Sequence, residues 1–343
     1  MPEHETQVMT HDAESIALVA DIGGTNARFA LAEFGADLPH LHHPQSLPAA
    51  EFASLQHAAE HYLAGVGHSP ARAAIAVACP VRDDEIRLTN RAWSFSRSEL
   101  RQALQVEHLL VLNDFGAAAW TVPTLAAGDS LALYGPSALP LAGPISVLGP
   151  GTGLGVALLV GHTGAWSVVE TEGGHVSFAP HGTEERAIHD WFVARHGRVS
   201  NERLLSGIGL SQIDAALARR KPGKLDTPDE SLRDPAVIVA AALEGHDVSA
   251  RRALARFCAI LGSVAGDTAL IHGARTVMIA GGIVPRFVPF LRQSAFRERF
   301  LDKGRFAAYL ESVAVRVIVH PAPGLLGAAL ALAATPHSSE SSP

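Results

Sequence analysis

Apolar residues along this chain fall into short unbroken runs and longer stripes with helical period. Residues 16–20 form a short run that ends at Asp21, and after Gly23 and Gly24 a second run covers 27–34. Much further along, 145–148 leads into Gly149-Pro150-Gly151-Thr152-Gly153-Leu154-Gly155 and out into 156–160. Apolar runs bounded by turn residues mark buried strands, so strand, glycine turn, strand is predicted twice. The repetition predicts a duplicated architecture whose halves face each other across a cleft. Runs at 74–78, 109–112 and 276–280 predict further strands of the same kind.

Helix signals lie between them. Ser96 and Glu99 form a capping-box pattern ahead of Leu100 and Leu104. Residues 184–196 put Ile188, Trp191 and Phe192 on one stripe and stop at Gly197, a good residue just past a helix end. Asp234-Pro235 offers a cap and a first-turn proline for a helix to Leu243. A long helix over 249–272 carries Leu254, Phe257, Leu261 and Val264 on its apolar face. Such alternation predicts an α/β protein, with mostly parallel or mixed sheets and helices packed on them. Residues 1–15 and 335–343 are polar and are expected to be a disordered extension and tail.

Composition narrows the function classes. At 343 residues there is room for two domains. Hydrophobic residues make up 48% but aromatics only 6%, so the cores must be built from Ala, Leu, Val and Ile. A net charge of −7 argues against a nucleic-acid surface, which would be basic. Cys79 and Cys258 are the two cysteines, too few for a disulfide framework or a cysteine-rich zinc site. His42, His43, His57, His61 and His68 have no ligand-like spacing and read as solvated side chains. The N-terminus lacks the basic-then-apolar pattern of a signal peptide. A membrane span needs about 18 apolar residues, and the longest helix candidate is interrupted by Arg256 and Asp267. A cytoplasmic protein without nucleic-acid or membrane partners is expected.

Candidate chemistry sits at the turns. In Asp21-Ile22-Gly23-Gly24-Thr25-Asn26, two glycines let backbone N–H groups approach a phosphate, and Thr25 adds a hydroxyl. Asp21 could hold Mg²⁺ through water; a plain hairpin with an incidental Asp fits the same pattern. The turn 149–155 is not a Walker loop, because no Gly-Lys-Ser/Thr follows, nor a dinucleotide fingerprint, because a strand comes next. It reads as a second phosphate-facing loop or a glycine-rich hairpin. Asn113-Asp114 follows an apolar run, at a strand's carboxyl end where open α/β sheets bind ligands. There Asp114 could take a proton from an attacking hydroxyl, or cap the next helix. In Glu172-Gly173-Gly174-His175 an acid and an imidazole can converge on one small polar ligand, and the pattern is poor for zinc. Glu202, at a helix start after Ser200-Asn201, either complements the helix dipole or accepts from hydroxyls. Gly281-Gly282 after the last run lets backbone pass close to a flat ring such as adenine, or makes a strand-to-helix turn.

Taken in order, these segments resemble the bacterial glucokinase family, in the group without the zinc motif of the repressor/kinase class. The resemblance spans residues 17–330. It is carried by Ala20-Asp21-Ile22-Gly23-Gly24-Thr25-Asn26-Ala27-Arg28, Leu112-Asn113-Asp114-Phe115, Gly151-Thr152-Gly153-Leu154-Gly155 and Glu172-Gly173-Gly174-His175. Val199-Ser200-Asn201-Glu202-Arg203 with Leu205-Ser206-Gly207, and Gly281-Gly282-Ile283-Val284-Pro285-Arg286-Phe287, complete it. The resemblance implies a two-lobed actin-like ATPase (ribonuclease H-like) fold with the active site in the inter-lobe cleft. A small α/β lobe would cover 16–124, completed by 317–334, and a large α/β lobe 125–316. It implies an ATP-dependent hexose kinase that moves the γ-phosphoryl of MgATP to the 6-hydroxyl of glucose, the first step of glycolysis. Asp114 would be the base, and Asn113, Asp114, Glu172, His175 and Glu202 would hold glucose. Asp21, Ile22, Gly23, Gly24, Thr25 and Asn26, with Gly151, Thr152 and Gly153, would cradle the ATP phosphates, and Gly281 and Gly282 would lie near the adenosine. A homodimer is expected on general frequency. One departure is Ile208-Gly209, where a proline is expected before the glycine; it should alter a turn without removing a ligand. A kinase for mannose or fructose, or one using polyphosphate, fits the same residues. A sugar-sensing regulator would need a longer N-terminal module than the few polar residues here, and an actin-like structural protein would not need the Glu172, His175 and Glu202 set.

Overall fold

Strand β1 (Ile16–Ile22) is apolar apart from Asp21 because both of its faces are covered. Leu18, Ala20 and Ile22 point into one core, Ala17 and Val19 into another, the period-two alternation of a strand buried on both sides. The computed structural model describes residues 15–88, 93–136, 142–219 and 232–335. Of the two ends expected to be disordered, only Ser15 and Thr335 fall among the described residues, and both are bonded. The Ser15 carbonyl accepts from Phe34 N–H at 2.7 Å, and Thr335 N–H donates to the Ala331 carbonyl at 3.1 Å.

The chain divides into two units, residues 1–125 with 321–343, and residues 126–320. In the first, β1, β2 (Asn26–Glu33), β3 (His40–Pro48), β4 (Arg72–Val77) and β7 (His108–Asn113) form a sheet in the order β3-β2-β1-β4-β7. Strands β5 (Glu85–Arg87) and β6 (Ser94–Ser96) make a separate ribbon. β3, β2 and β1 run as an antiparallel meander, while β4 and β7 lie parallel to β1. One face packs against the helices Leu55–Val66 and Arg97–Ala103. The capping-box serine does its part there: Ser96 Oγ accepts from Glu99 N–H at 3.1 Å. The other face is lined with Ala17, Ala30, Ala74 and Ala76, and the helix Pro323–Ala334 packs on it. That helix also lies against Asp114–Thr121, with Gly327 so close to Ala117 that a Cβ would overlap the Ala117 carbonyl.

In the second unit, β8 (Ser130–Tyr134), β9 (Ile145–Pro150), β10 (Leu154–His162), β11 (Ala165–Thr171), β12 (Thr276–Ile279) and β13 (Ala314–Ile318) form the order β11-β10-β9-β12-β13-β8. Its first five positions repeat the first sheet: an antiparallel meander of three, then two strands parallel to the last of them. The helix Val248–His272 fills the core. Contrary to the sequence expectation, it is long and apolar enough to cross a membrane by length and composition, since two separated charges do not interrupt it. Most of its apolar stretch is buried against this unit, with Gly262 and Gly266 letting the backbone of Phe296–Leu301 approach. The fully buried Glu185 is held by Arg299 and Arg256 and by His181 N–H, ties that join the helix Gly182–His196 to its neighbours.

Gly327→Ala should push the helix Pro323–Ala334 off Asp114–Thr121. Overpacking of this kind costs about 1–3 kcal/mol, read as a lower denaturation midpoint, and a midpoint equal to the wild type would show that the two helices do not constrain each other.

Candidate active site

In the first unit the predicted residues collect at one edge of the sheet. Parallel registry aligns Ile22 with Val77 and Val77 with Asn113, so β1, β4 and β7 all deliver their carboxyl ends there. The β1–β2 turn is closed by Gly23 N–H donating to the Asn26 carbonyl at 3.0 Å, and Thr25 is fixed by Ala49 N–H on its carbonyl at 3.1 Å. The plain-hairpin reading of this turn is therefore correct as geometry, and it leaves the glycine backbone at the carboxyl edge of the sheet, where open α/β sheets generally bind ligands. Asp21 pairs across the hairpin with Arg28, Nη1 to Oδ2 at 3.2 Å. Its carboxyl also abuts the first turn of the helix Pro323–Ala334, where a Cβ on Gly324 would come within 2.6 Å of Asp21 Cγ. Burial pushes the Asp21 carboxyl above its usual value, and the Arg28 guanidinium opposes the rise without cancelling it.

At the end of β7 the capping question has a clear answer. Asn113 is the helix cap, its Oδ1 accepting from Phe115 N–H at 2.9 Å and Gly116 N–H at 3.3 Å, and its Nδ2 donates to the Cys79 carbonyl. Asp114 is the first helical residue, and its Oδ1 accepts from Phe115 N–H at 2.9 Å. The capping role that Asp114 was expected to compete for thus belongs to its neighbour.

The second unit gathers four loops at the equivalent edge. Residues 151–153 turn β9 into β10, with Gly151 N–H donating to the Gly153 carbonyl at 2.7 Å. Gly281, in the left-handed region at φ +89°, follows β12 and passes the Pro150 carbonyl at a distance only glycine allows. It leads into the single turn Val284–Phe287, so the strand-to-helix reading of Gly281-Gly282 also holds. Residues 172–175 leave β11 beside the start of β10, where a Cβ on Gly174 would overlap the Leu154 carbonyl. Asn201 N–H bonds to the Val176 carbonyl at 2.9 Å and Phe178 N–H to the Val199 carbonyl at 3.1 Å, which brings the helix Asn201–Leu204 alongside. As a result Glu202 Oε1 lies 3.7 Å and Glu172 Oε2 3.9 Å from His175 Nε2. Glu202 Oε2 accepts from Leu154 N–H at 3.1 Å. Its carboxylate therefore serves the next loop, beyond any interaction with its own helix dipole. A cavity of about 580 Å³ in this unit is lined by residues such as Val176, Phe178 and Val264. Glu172, His175 and Glu202 are not among its lining residues, although Thr171, Gly173 and Asn201 beside them are.

Comparison with known proteins decides the family. Residues 18–335 match the family described as Glucokinase. The chain belongs to the glucokinase family. The glucokinase of Chromobacterium violaceum is 45% identical over 318 residues, 92% of this chain and 89% of that one. The crystal structure of a glucokinase from an Antarctic psychrotroph superposes with a TM-score of 0.78 at 38% identity, covering 94% of this chain and 99% of that one. A Balamuthia mandrillaris glucokinase in complex with glucose shares the fold, with a TM-score of 0.77 at 24% identity over 95% of each chain. The actin-like ATPase fold expected from the motifs is thus the fold of this glucokinase-family chain.

Arg28 and Gly324 carry weight at this glucokinase edge that the motif reading did not assign. Arg28 was legible as the cross-strand partner of Asp21 once the hairpin was drawn, whereas nothing local points from Asp21 to Gly324 near the far end of the chain. Among the described residues no group of three or more His, Cys, Asp or Glu could hold a metal ion by itself. Mg²⁺ usually takes one or two carboxylates and keeps water and phosphate as its other ligands. The single Asp21 carboxylate at the glycine turn fits that mode.

Because folding raises Asp21 above its unfolded value of 3.8, the folded state holds this proton more tightly. Stability is then lost as pH rises above that value, until the folded-state carboxyl itself ionises. Asp21→Asn should therefore melt higher than the wild type at pH 7, with the difference vanishing below pH 3.8. A lower melting temperature at pH 7 would mean that the Arg28 pair outweighs burial.

Proposed function

We propose that Asp114 is the general base that takes the proton from the 6-hydroxyl of glucose as that oxygen attacks the γ-phosphorus of ATP. The chain is an ATP-dependent hexose kinase of the glucokinase family, and the proposal concerns how its residues perform that reaction. The bond between the γ-phosphorus and the β–γ bridging oxygen breaks as the new O–P bond forms, giving glucose 6-phosphate and ADP. The observation that carries the reading is the division of labour at the end of β7: Asn113 caps the helix and Asp114 holds a fixed place in its first turn.

Sugar recognition is assigned to Asn113, Asp114, Glu172, His175 and Glu202. What supports it for the last three is their convergence within one unit, carboxylates on either side of an imidazole that can both donate and accept. A site built around hydroxyls penalises a sugar lacking one, because the group meant to bond that hydroxyl is left unpaired. The turn at Asp21, Ile22, Gly23, Gly24, Thr25 and Asn26 and the loop Gly151, Thr152 and Gly153 would offer backbone N–H groups to the phosphates. Gly281 and Gly282 would let the adenosine lie against backbone. Asp21 would hold Mg²⁺ through water; when bound, the ion neutralises phosphate charge. Rate then comes from positioning and charge stabilisation rather than covalent work. A two-fold dimer and action in the cytoplasm, where ATP is available, complete the reading.

Asp114→Asn tests the base directly. Calorimetry should show glucose binding within a few-fold of the wild type, while kcat falls by about 10²–10⁴-fold. Retention of wild-type kcat would remove Asp114 from the chemistry.

A further inference from the structure

We infer that Glu202 is also a positioning residue for the phosphate loop, so that sugar and nucleotide bind cooperatively through one carboxylate; the inference rests on the sugar and phosphate roles proposed above. The two oxygens of this side chain face different business. Oε1 is the oxygen beside His175, in the sugar cluster. Oε2 accepts the N–H of Leu154, the residue that closes the glycine loop 151–153. Gly153 has no side chain at the point of contact: an ideal Cβ there would overlap Oε2. The same short segment grips the loop a second time, because Gly207 N–H donates to the Gly151 carbonyl at 3.0 Å.

A loop rich in glycine has many backbone conformations to lose. A carboxylate on a backbone N–H is among the stronger bonds available to fix one of them. Glu202 is only partly buried, with its side chain 31% exposed, so it keeps some freedom before a sugar arrives. A glucose hydroxyl donating to Oε1 removes that freedom and fixes Oε2 on Leu154. The loop is then ordered before the nucleotide binds, and the nucleotide gives up less entropy on binding. Linkage makes the effect reciprocal: bound nucleotide tightens glucose by the same factor.

The test measures the dissociation constant of a non-hydrolysable ATP analogue with and without saturating glucose, together with hydrogen exchange at the Leu154 amide. In wild-type protein glucose should tighten the analogue, within the roughly 5–150-fold span usual for coupled sites, and glucose alone should slow exchange at Leu154. Gly153→Ala should bring the coupling factor, taken against the variant's own affinity for the analogue without glucose, toward one and abolish the glucose effect on Leu154. The new methyl meets only the end of a flexible side chain, so the fold has room to accommodate it. Glu202→Gln, which keeps an acceptor, should retain more coupling than Glu202→Ala, and this pair gives the same test if Gly153→Ala does not fold. An unchanged coupling factor in these variants, or a Leu154 amide indifferent to glucose in the wild type, overturns the inference and leaves the kinase reading standing. A wild type that binds neither ligand would overturn both.

Discussion

The Ala280 carbonyl lies where a side chain on Gly149 would begin, and the chemical edge of the second unit depends on that contact. With backbone against backbone, β9 and β12 stay in parallel register as far as Leu148 beside Ile279. Their two outgoing loops, 151–153 and 281–282, then start side by side. Gly281 against Pro150 and Gly174 against Leu154 extend the constraint. Each is a place where any Cβ would force the loops apart. Glycine at these positions is a packing requirement before it is a ligand-binding one.

A parallel constraint shapes the first unit with charge in place of backbone. Burial raises the Asp21 carboxyl, one arginine across the hairpin opposes the rise only in part, and the first turn of the last helix lies beside it. A carboxylate held in this way is costly to the fold unless a cation supplies what the protein withholds. The alanine-lined face beneath it lets two helices close on the sheet, one carrying Asp114 and the other Gly324.

Much of this was legible in the chain. Unbroken runs such as 16–20 and 145–148 announced buried strands, and the glycine turns between strands were correctly separated from Walker and dinucleotide loops. Asp234-Pro235 and Gly197 marked helix ends where the structure has them. Strand β3 escaped notice because His40–Pro48 has no apolar alternation; it forms by pairing with β2 at an exposed edge, where His42 bonds Glu33 at 2.9 Å. The contact between Glu202 and Leu154 was equally hidden. It depends on the backbone bonds that set residues 176–178 against 199–201, and no local pattern encodes such long-range pairing. Arg28 sat in plain view within the motif, but its role required the hairpin register.

The most direct test of the whole account is a coupled assay for glucose 6-phosphate with purified protein and MgATP, run with glucose, mannose, fructose and no sugar. The account predicts rapid turnover with glucose, little without sugar, and loss of activity when Mg²⁺ is chelated. Folded protein that binds glucose yet produces no sugar phosphate with any of the three would contradict it.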